Sequence, residues 1–244
     1  MIALRSLVFN ALFYVWAAVM VVVWLPALAL PRRHTVRGME IWARGNLAML
    51  KAICDVRVEV RGRENLPAGA CIVASKHQSA WDTFVYHVLL ADPAIVLKQE
   101  LMWLPGYGQH ARKVGMIPVD RAGGAKALKS MLRIARERAD AGRPILIFPE
   151  GHRSPPDATL EFQPGVAALY KSLDLPVVPV ALNSGLHWGR RKFERPPGTI
   201  VVEFQPIIPP GLERKEFMAR LRDAIALRTE ALVAEGRAAG RAPS

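Results

Sequence analysis

The chain has 244 residues, enough for one mid-sized domain plus an appendage and ample for a buried core. With 51% hydrophobic and 22% charged residues it is globular rather than disordered, and two cysteines exclude a disulfide framework. Thirty-three Lys and Arg against 21 Asp and Glu give a net charge of +12, so the partners to expect are anionic: lipid headgroups, phosphorylated substrates, an acidic carrier protein or nucleic acid.

Residues 7–30, LVFNALFYVWAAVMVVVWLPALAL, carry no charge and are flanked by Arg5 and by Arg32 and Arg33. As a helix this run would reach ~36 Å, enough for a bilayer core of ~30 Å. It is too long for a signal peptide and shows no clear cleavage site before Pro31. A spanning helix and a helix lying in one leaflet both remain open, because positive charge on both sides removes the orientation signal. Residues 35–53 place Met39, Ile41, Trp42, Leu47, Met49, Leu50 and Ile53 at helical spacing and predict a second, amphipathic helix. Residues 1–54 are therefore expected to form a membrane-anchoring helix pair. Cys54 and Cys71, at no metal-ligand spacing, are expected to be reduced core residues, which fits a domain facing the cytosol.

From Val56 the pattern alternates strands and helices. VRVEVRG (56–62), ACIVAS (70–75), AIVLK (94–98), GMIPV (115–119), PILIFP (144–149), PVVPVAL (176–182) and TIVVEF (199–204) predict strands. Helices are expected near 80–90, 124–141, 165–174 and 213–235. The fold class that follows is α/β, a mixed, largely parallel sheet flanked by helices over residues 55–236, with a flexible tail at 237–244. In such sheets sites gather in the loops leaving the carboxyl ends of strands. The loops after Ser75, Leu97, Val119 and Phe148 therefore carry the chemistry.

The first of these, SKHQSAWDTF, sets His77 five residues before Asp82. Within one helix the two would face ~140° apart, so a hydrogen bond between them requires His77 to sit in the loop. SAWD reads as a capping box with Ser79 as N-cap. Two readings stand: Asp82 caps a helix, or it fixes the tautomer of a basic imidazole at His77. The loop after Phe148 holds Glu150, Gly151, His152, Arg153 and Ser154; the others present Lys98, Asp120 and Arg121. Arg121 could fork onto phosphate oxygens or pair with Asp120. No G-x-S-x-G elbow, P-loop, dinucleotide fingerprint or H-E-x-x-H occurs, which argues against serine hydrolase, common nucleotide-binding and metalloprotease chemistry.

Together, HQSAWD, GMIPVDR, FPEGHRS and VVPVAL resemble, in order and spacing, the four sequence blocks of the glycerophospholipid acyltransferase family, in particular 1-acylglycerol-3-phosphate acyltransferases. The resemblance runs from about residue 70 to 182. It implies that His77 is the general base on the acceptor hydroxyl and Asp82 its orienting carboxylate, without an acyl-enzyme. It further implies that Arg121, helped by Lys98, holds a phosphate, while Glu150, Gly151, Arg153 and Ser154 position the glycerol and headgroup. Pro179 is expected in the pocket wall. No bound cofactor is implied; the co-substrate is an acyl-CoA or acyl carrier protein thioester. The expected partners are lysophosphatidic acid and membrane phospholipids, with no nucleic acid, at the cytoplasmic face of the plasma membrane. Lys76, Pro118 and His152 depart from residues frequent in the family and bear on the acceptor headgroup. Lys126, Lys129, Arg133, Arg136 and Arg138 are read as a face for anionic lipid or an acidic carrier, and PGYG (105–108) with Met102, Trp103 and Leu104 as lining for an acyl channel. Transfer to another lysolipid and a non-catalytic membrane module are the competing readings.

Overall fold

The computed structural model describes residues 1–158 and 161–240. Seven strands, β1 (Val56–Arg61), β2 (Ile72–Ser75), β3 (Ala94–Lys98), β4 (Ile117–Val119), β5 (Ile145–Ile147), β6 (Val177–Leu182) and β7 (Gly198–Phe204), form one sheet in the order β1-β7-β6-β2-β5-β3-β4. Every neighbouring pair is parallel except β6 and β7. The carboxyl ends of β2 to β6 therefore share one edge, while β1 and β7 run the other way.

Side-chain alternation splits the interior into two layers. Val73, Leu146, Val178 and Val180 point toward α1 (Ile2–Val23), α2 (Arg32–Cys54), α3 (Trp81–Leu89) and α4 (Tyr107–Val114). Ile72, Ala74, Ile145 and Ile147 point the other way, toward α5 (Gly124–Asp140), α6 (Pro164–Leu173) and α7 (Arg214–Ala239). Central strands covered on both faces have no polar side to present, which is why β6 reads VVPVAL and is buried throughout. Pro179 sits inside β6 opposite Ala74, its carbonyl accepting the Gln205 N–H at 2.8 Å. It is a buried strand residue. Pro118 lies in β4, at the sheet edge, where a missing N–H is tolerated.

The expected strands and α-helices are all present, and the described residues add one further α-helix, α4, which the sequence pattern does not announce, and short 3-10 turns. Two termini also differ. The first helix ends at Val23 and a 3-10 turn at Leu25–Leu28 reverses the chain into α2, while α7 continues to Ala239 and makes residues 237–239 helical rather than a flexible tail. Gly240 caps that helix, and 241–244 lie outside the described residues.

Packing does not break at residue 54. Phe9 of α1 is fully buried, edge-on to Trp188 at 5.2 Å, and Phe13 meets Trp42, Phe84 and Trp188. Contacts run along the whole of α1: the Arg5 carbonyl accepts from Cys54 Sγ, Trp16 Nε1 donates to the Trp42 carbonyl at 3.1 Å, and the Trp24 carbonyl meets His110 Nε2 at 3.1 Å. The helix pair shares one core with the sheet. Both cysteines are free and buried, as expected, and burial pushes the Cys71 thiol up to about 11.

Candidate active site

His77 lies in the loop between β2 and α3, its backbone fixed before its side chain is considered. Its N–H donates to Glu150 Oε1 at 3.0 Å and its carbonyl accepts the Ser154 N–H at 2.9 Å. The imidazole stacks on Phe148 with ring centroids 4.1 Å apart and planes 22° apart. Nδ1 meets Asp82 Oδ2 at 3.0 Å. An ionised carboxylate only accepts, so Nδ1 carries the proton and the lone pair is left on Nε2.

Asp82 is completely buried, and its charge is answered by four donors. Oδ2 accepts from His77 Nδ1 and from the backbone N–H groups of Gln78 (2.7 Å) and Ser79 (2.8 Å); Oδ1 accepts from Ser184 Oγ at 2.6 Å. One side chain therefore both caps the helix start and meets the imidazole. The box is shifted from the expected form: helical geometry starts at Trp81, and Ser79 Oγ accepts the Trp81 N–H at 3.1 Å. Gln78 Oε1, N-terminal to the turn, accepts the Gly185 N–H at 2.8 Å, so the segment after β6 is tied both to the loop after β2 and to the first turn of α3.

Glu150 and Ser154 are placed behind His77. The Glu150 carboxylate is fully buried and engaged: Oε1 takes the His77 N–H and the Lys76 ammonium at 3.1 Å, and Oε2 takes the Ser154 hydroxyl at 2.5 Å. Lys76 Nζ also donates to Ser154 Oγ at 3.1 Å. Groups engaged in this way hold the loop. Gly151, at φ +72°, makes the turn that brings Ser154 back against His77.

Arg153, Lys98 and Arg121 are exposed along the same edge. Their strands lie one, two and three places from β2, so at ~4.8 Å per strand Arg121 starts ~14 Å from the His77 loop and Arg153 ~5 Å. Lys98 pairs with Glu100 at 2.7 Å. Asp120 does not pair with Arg121 but accepts the Ala122 N–H at 2.9 Å in a turn. Beside this end of the sheet runs a cleft of about 490 Å³ lined by Gln99, Met102, Trp103, Arg112, Asp120 and Lys126, among others. The PGYG stretch is elsewhere: a side chain at Gly106 would meet Val21 of α1, and one at Gly108 would meet the Met102 carbonyl. These glycines allow close packing rather than line the cleft.

The expected basic face of α5 is only partly free. Arg133 pairs with Glu137, Arg136 donates to the Ser172 and Leu173 carbonyls, and Arg138 donates to the Gly115 carbonyl at 3.0 Å. Lys126 and Lys129 remain exposed. Sequence reasoning did not single out Ser184, Phe148 or the Lys76 contact with Glu150; no local spacing links Ser184 to an aspartate 102 residues earlier.

Residues 57–183 match the family model described as Acyltransferase. The 1-acyl-sn-glycerol-3-phosphate acyltransferase of Pseudomonas aeruginosa is 33% identical over 238 residues, 96% of this chain and 90% of that one. The human 1-acyl-sn-glycerol-3-phosphate acyltransferase alpha is 30% identical over 179 residues, 72% of this chain and 62% of its own. The crystal structure of the 1-acyl-sn-glycerophosphate acyltransferase of Thermotoga maritima superposes with a TM-score of 0.79 at 23% identity, covering 95% of this chain and 98% of that one, and so shares the fold. With its matched segment spanning every block from β1 to the end of β6, the chain belongs to the acyltransferase family.

Proposed function

We propose that the protein transfers a fatty acyl group from an acyl thioester to the sn-2 hydroxyl of 1-acyl-sn-glycerol-3-phosphate. The observation that carries this is the His77–Asp82 pair, an imidazole held through Nδ1 by a buried carboxylate that accepts from four donors. Nε2 removes the hydroxyl proton as the oxygen attacks the thioester carbonyl carbon. Asp82 balances the imidazolium so formed. The tetrahedral intermediate collapses, the carbon–sulfur bond breaks, and the imidazolium returns its proton to the departing thiolate, giving ester, thiol and the starting enzyme. No covalent acyl-enzyme is required.

The names of the relatives support a lysophosphatidate acceptor. In this reading Arg153, one strand from His77, and Arg121, leaning back across β3 and β5, bind its phosphate, with Lys98 between them. Glu150 and Ser154 position His77, and Lys76 neutralises Glu150.

The same reading places α1 in the membrane interface. The helix is long enough to span, yet one side is packed on the catalytic body from Arg5 to Trp24. Spanning would drag the buried Arg195, bonded to Asn10 at 3.0 Å, into hydrocarbon. The other side, Leu4, Leu7, Val8, Leu12, Val15, Val19, Val22 and Val23, is exposed and apolar, suited to one leaflet.

Acyl transfer by the purified protein from both thioester donors to 1-acylglycerol-3-phosphate, lyso-ornithine lipid and lysophosphatidylcholine tests the assignment. Highest kcat/KM on the phosphate monoester is expected; preference for another acceptor would overturn the substrate while keeping the chemistry.

A further inference from the structure

The connection between β6 and β7 contains Gly-Arg-Arg-Lys-Phe-Glu-Arg, residues 189–195, whose basic character the catalytic reading does not use. It is a built loop. The Arg195 guanidinium is buried at its centre, with Nη1 donating to the carbonyls of Lys192 (2.7 Å), Phe193 (3.0 Å) and Glu194 (3.0 Å). Its carbon lies 4.5 Å from the centre of the Trp188 ring. Burial lowers the Arg195 pKa to about 10, so it stays charged near neutrality and keeps the loop curled. Glu194 is the one acidic residue in the stretch, and with Arg190, Arg191, Lys192 and Phe193 it is exposed.

Three hydrogen bonds rivet this loop to the first half of α1. Asn10 Nδ2 donates to the Phe193 carbonyl at 3.2 Å, Arg195 Nη2 donates to Asn10 Oδ1 at 3.0 Å, and the Arg195 N–H donates to Ser6 Oγ at 2.8 Å. A half-exposed phenyl ring, 50% accessible, is therefore carried on a loop fixed to the Ser6 and Asn10 side of a helix whose other side bears Leu4, Leu7 and Val8, with Arg5 exposed at the same end. At its other end the loop reaches the catalytic edge, where Arg190 Nη1 donates to the Arg153 carbonyl at 3.1 Å.

We propose that residues 189–195 bind the phosphate headgroups of anionic membrane lipids, with Phe193 entering the upper acyl region next to α1 and Arg191 and Lys192 at phosphate depth. Exposed cations alone would suit an acidic protein equally. An exposed ring among them, on a loop bonded to a helix that also bears an exposed apolar side, fits a lipid surface. The site rests on the reading of α1 as an interfacial helix. Its tie to Arg153 places a captured headgroup beside the loop that the proposed reaction uses.

The test is flotation of the full chain with phosphatidylcholine vesicles, with and without phosphatidylglycerol, for wild type, R191S/K192S and F193S. These side chains are exposed and Arg195 is untouched, so the fold is retained, which an unchanged Tm verifies. Wild type should bind the anionic vesicles more tightly, with an enhancement that salt removes. R191S/K192S should lose roughly five-fold of that enhancement per cation and keep its binding to neutral vesicles, while F193S should weaken binding to both. Wild-type enhancement in R191S/K192S would overturn the site. So would unchanged vesicle binding accompanied by slower transfer from acyl carrier protein alone, which would make the loop a protein-docking surface. If wild type bound neither vesicle, the interfacial reading of α1 would fail instead.

Discussion

Asp82 and Glu150 are two buried carboxylates on either side of one histidine, and their partners decide what that histidine does. Asp82 faces the imidazole; Glu150 faces only the His77 backbone, and its charge is taken up by Lys76. Replacing Lys76 by Met strands a buried anion, which should cost about 3–5 kcal/mol of stability, and Glu150→Gln in the same chain should recover much of it, read by denaturant unfolding. Ser184→Ala removes one donor from Asp82. A loss of about 1.5–3 kcal/mol is expected for a hydrogen bond to a charged group, with kcat falling more than KM rises. An unchanged kcat would show that Asp82 holds its orientation without Ser184. The histidine and aspartate were legible in the sequence because a helix start between them constrains their geometry. Ser184 was not, since the bond depends on β6 lying beside β2, a pairing that no local pattern encodes.

At the level of elements, alternation and turn residues located the strands and the longer helices closely, because burial on both faces demands apolar runs. What periodicity cannot show is order in the sheet. The reversal between β6 and β7, and the distance of Arg121 from His77, follow from long-range pairing alone. Helix α4, YGQHARKV, escaped for another reason: at eight residues, with its N-cap Gly106 at φ +77° and Gly115 at its C-cap, it offers little apolar repeat to read. Gly106→Ala should destabilise the protein, since the added methyl would strike Val21 in a backbone conformation that L residues rarely adopt. Thermal unfolding would reveal it as a lower Tm, and an unchanged Tm would mean that α1 yields. On α3, burial pushes the His87 imidazole down to about 4, and burial also lowers that of His187. The unfolded chain protonates these groups near 6.5 and the folded one later, so protons favour unfolding as pH falls from about 6.5 toward 4. Tm should therefore drop across that window, and His87→Gln should flatten the drop; an identical slope in the variant would remove His87 as its source.

For the whole molecule, the N-terminal pair is part of the core and, in the proposed reading, also the anchor. Deletion of residues 1–30 would uncover Trp42, Phe84 and Trp188 as well as remove the lipid-facing surface, so loss of membrane binding in such a truncation could not be assigned to either cause. Leu4→Ser, Val15→Ser and Val22→Ser together alter only exposed positions. That triple variant should leave membranes in flotation with little change in Tm, and continued binding would move the anchor to the basic surface. Length and hydropathy made the apolar helix legible; its packed side, on which the interfacial reading rests, needed the tertiary contacts of Arg5, Phe9, Asn10 and Trp24. The positive charge is likewise distributed by structure. Much of α5 spends its arginines on carbonyls and on Glu137, whereas Arg191 and Lys192 stand exposed in the loop tied to α1.

The central claim is that His77 removes the acceptor proton. Acyl transfer to 1-acylglycerol-3-phosphate by purified wild type and His77→Ala, with folding checked by Tm, tests it most directly. Loss of general-base catalysis should lower kcat by roughly 10²–10⁴-fold with the fold intact. Transfer by the variant at near the wild-type rate would contradict the assignment.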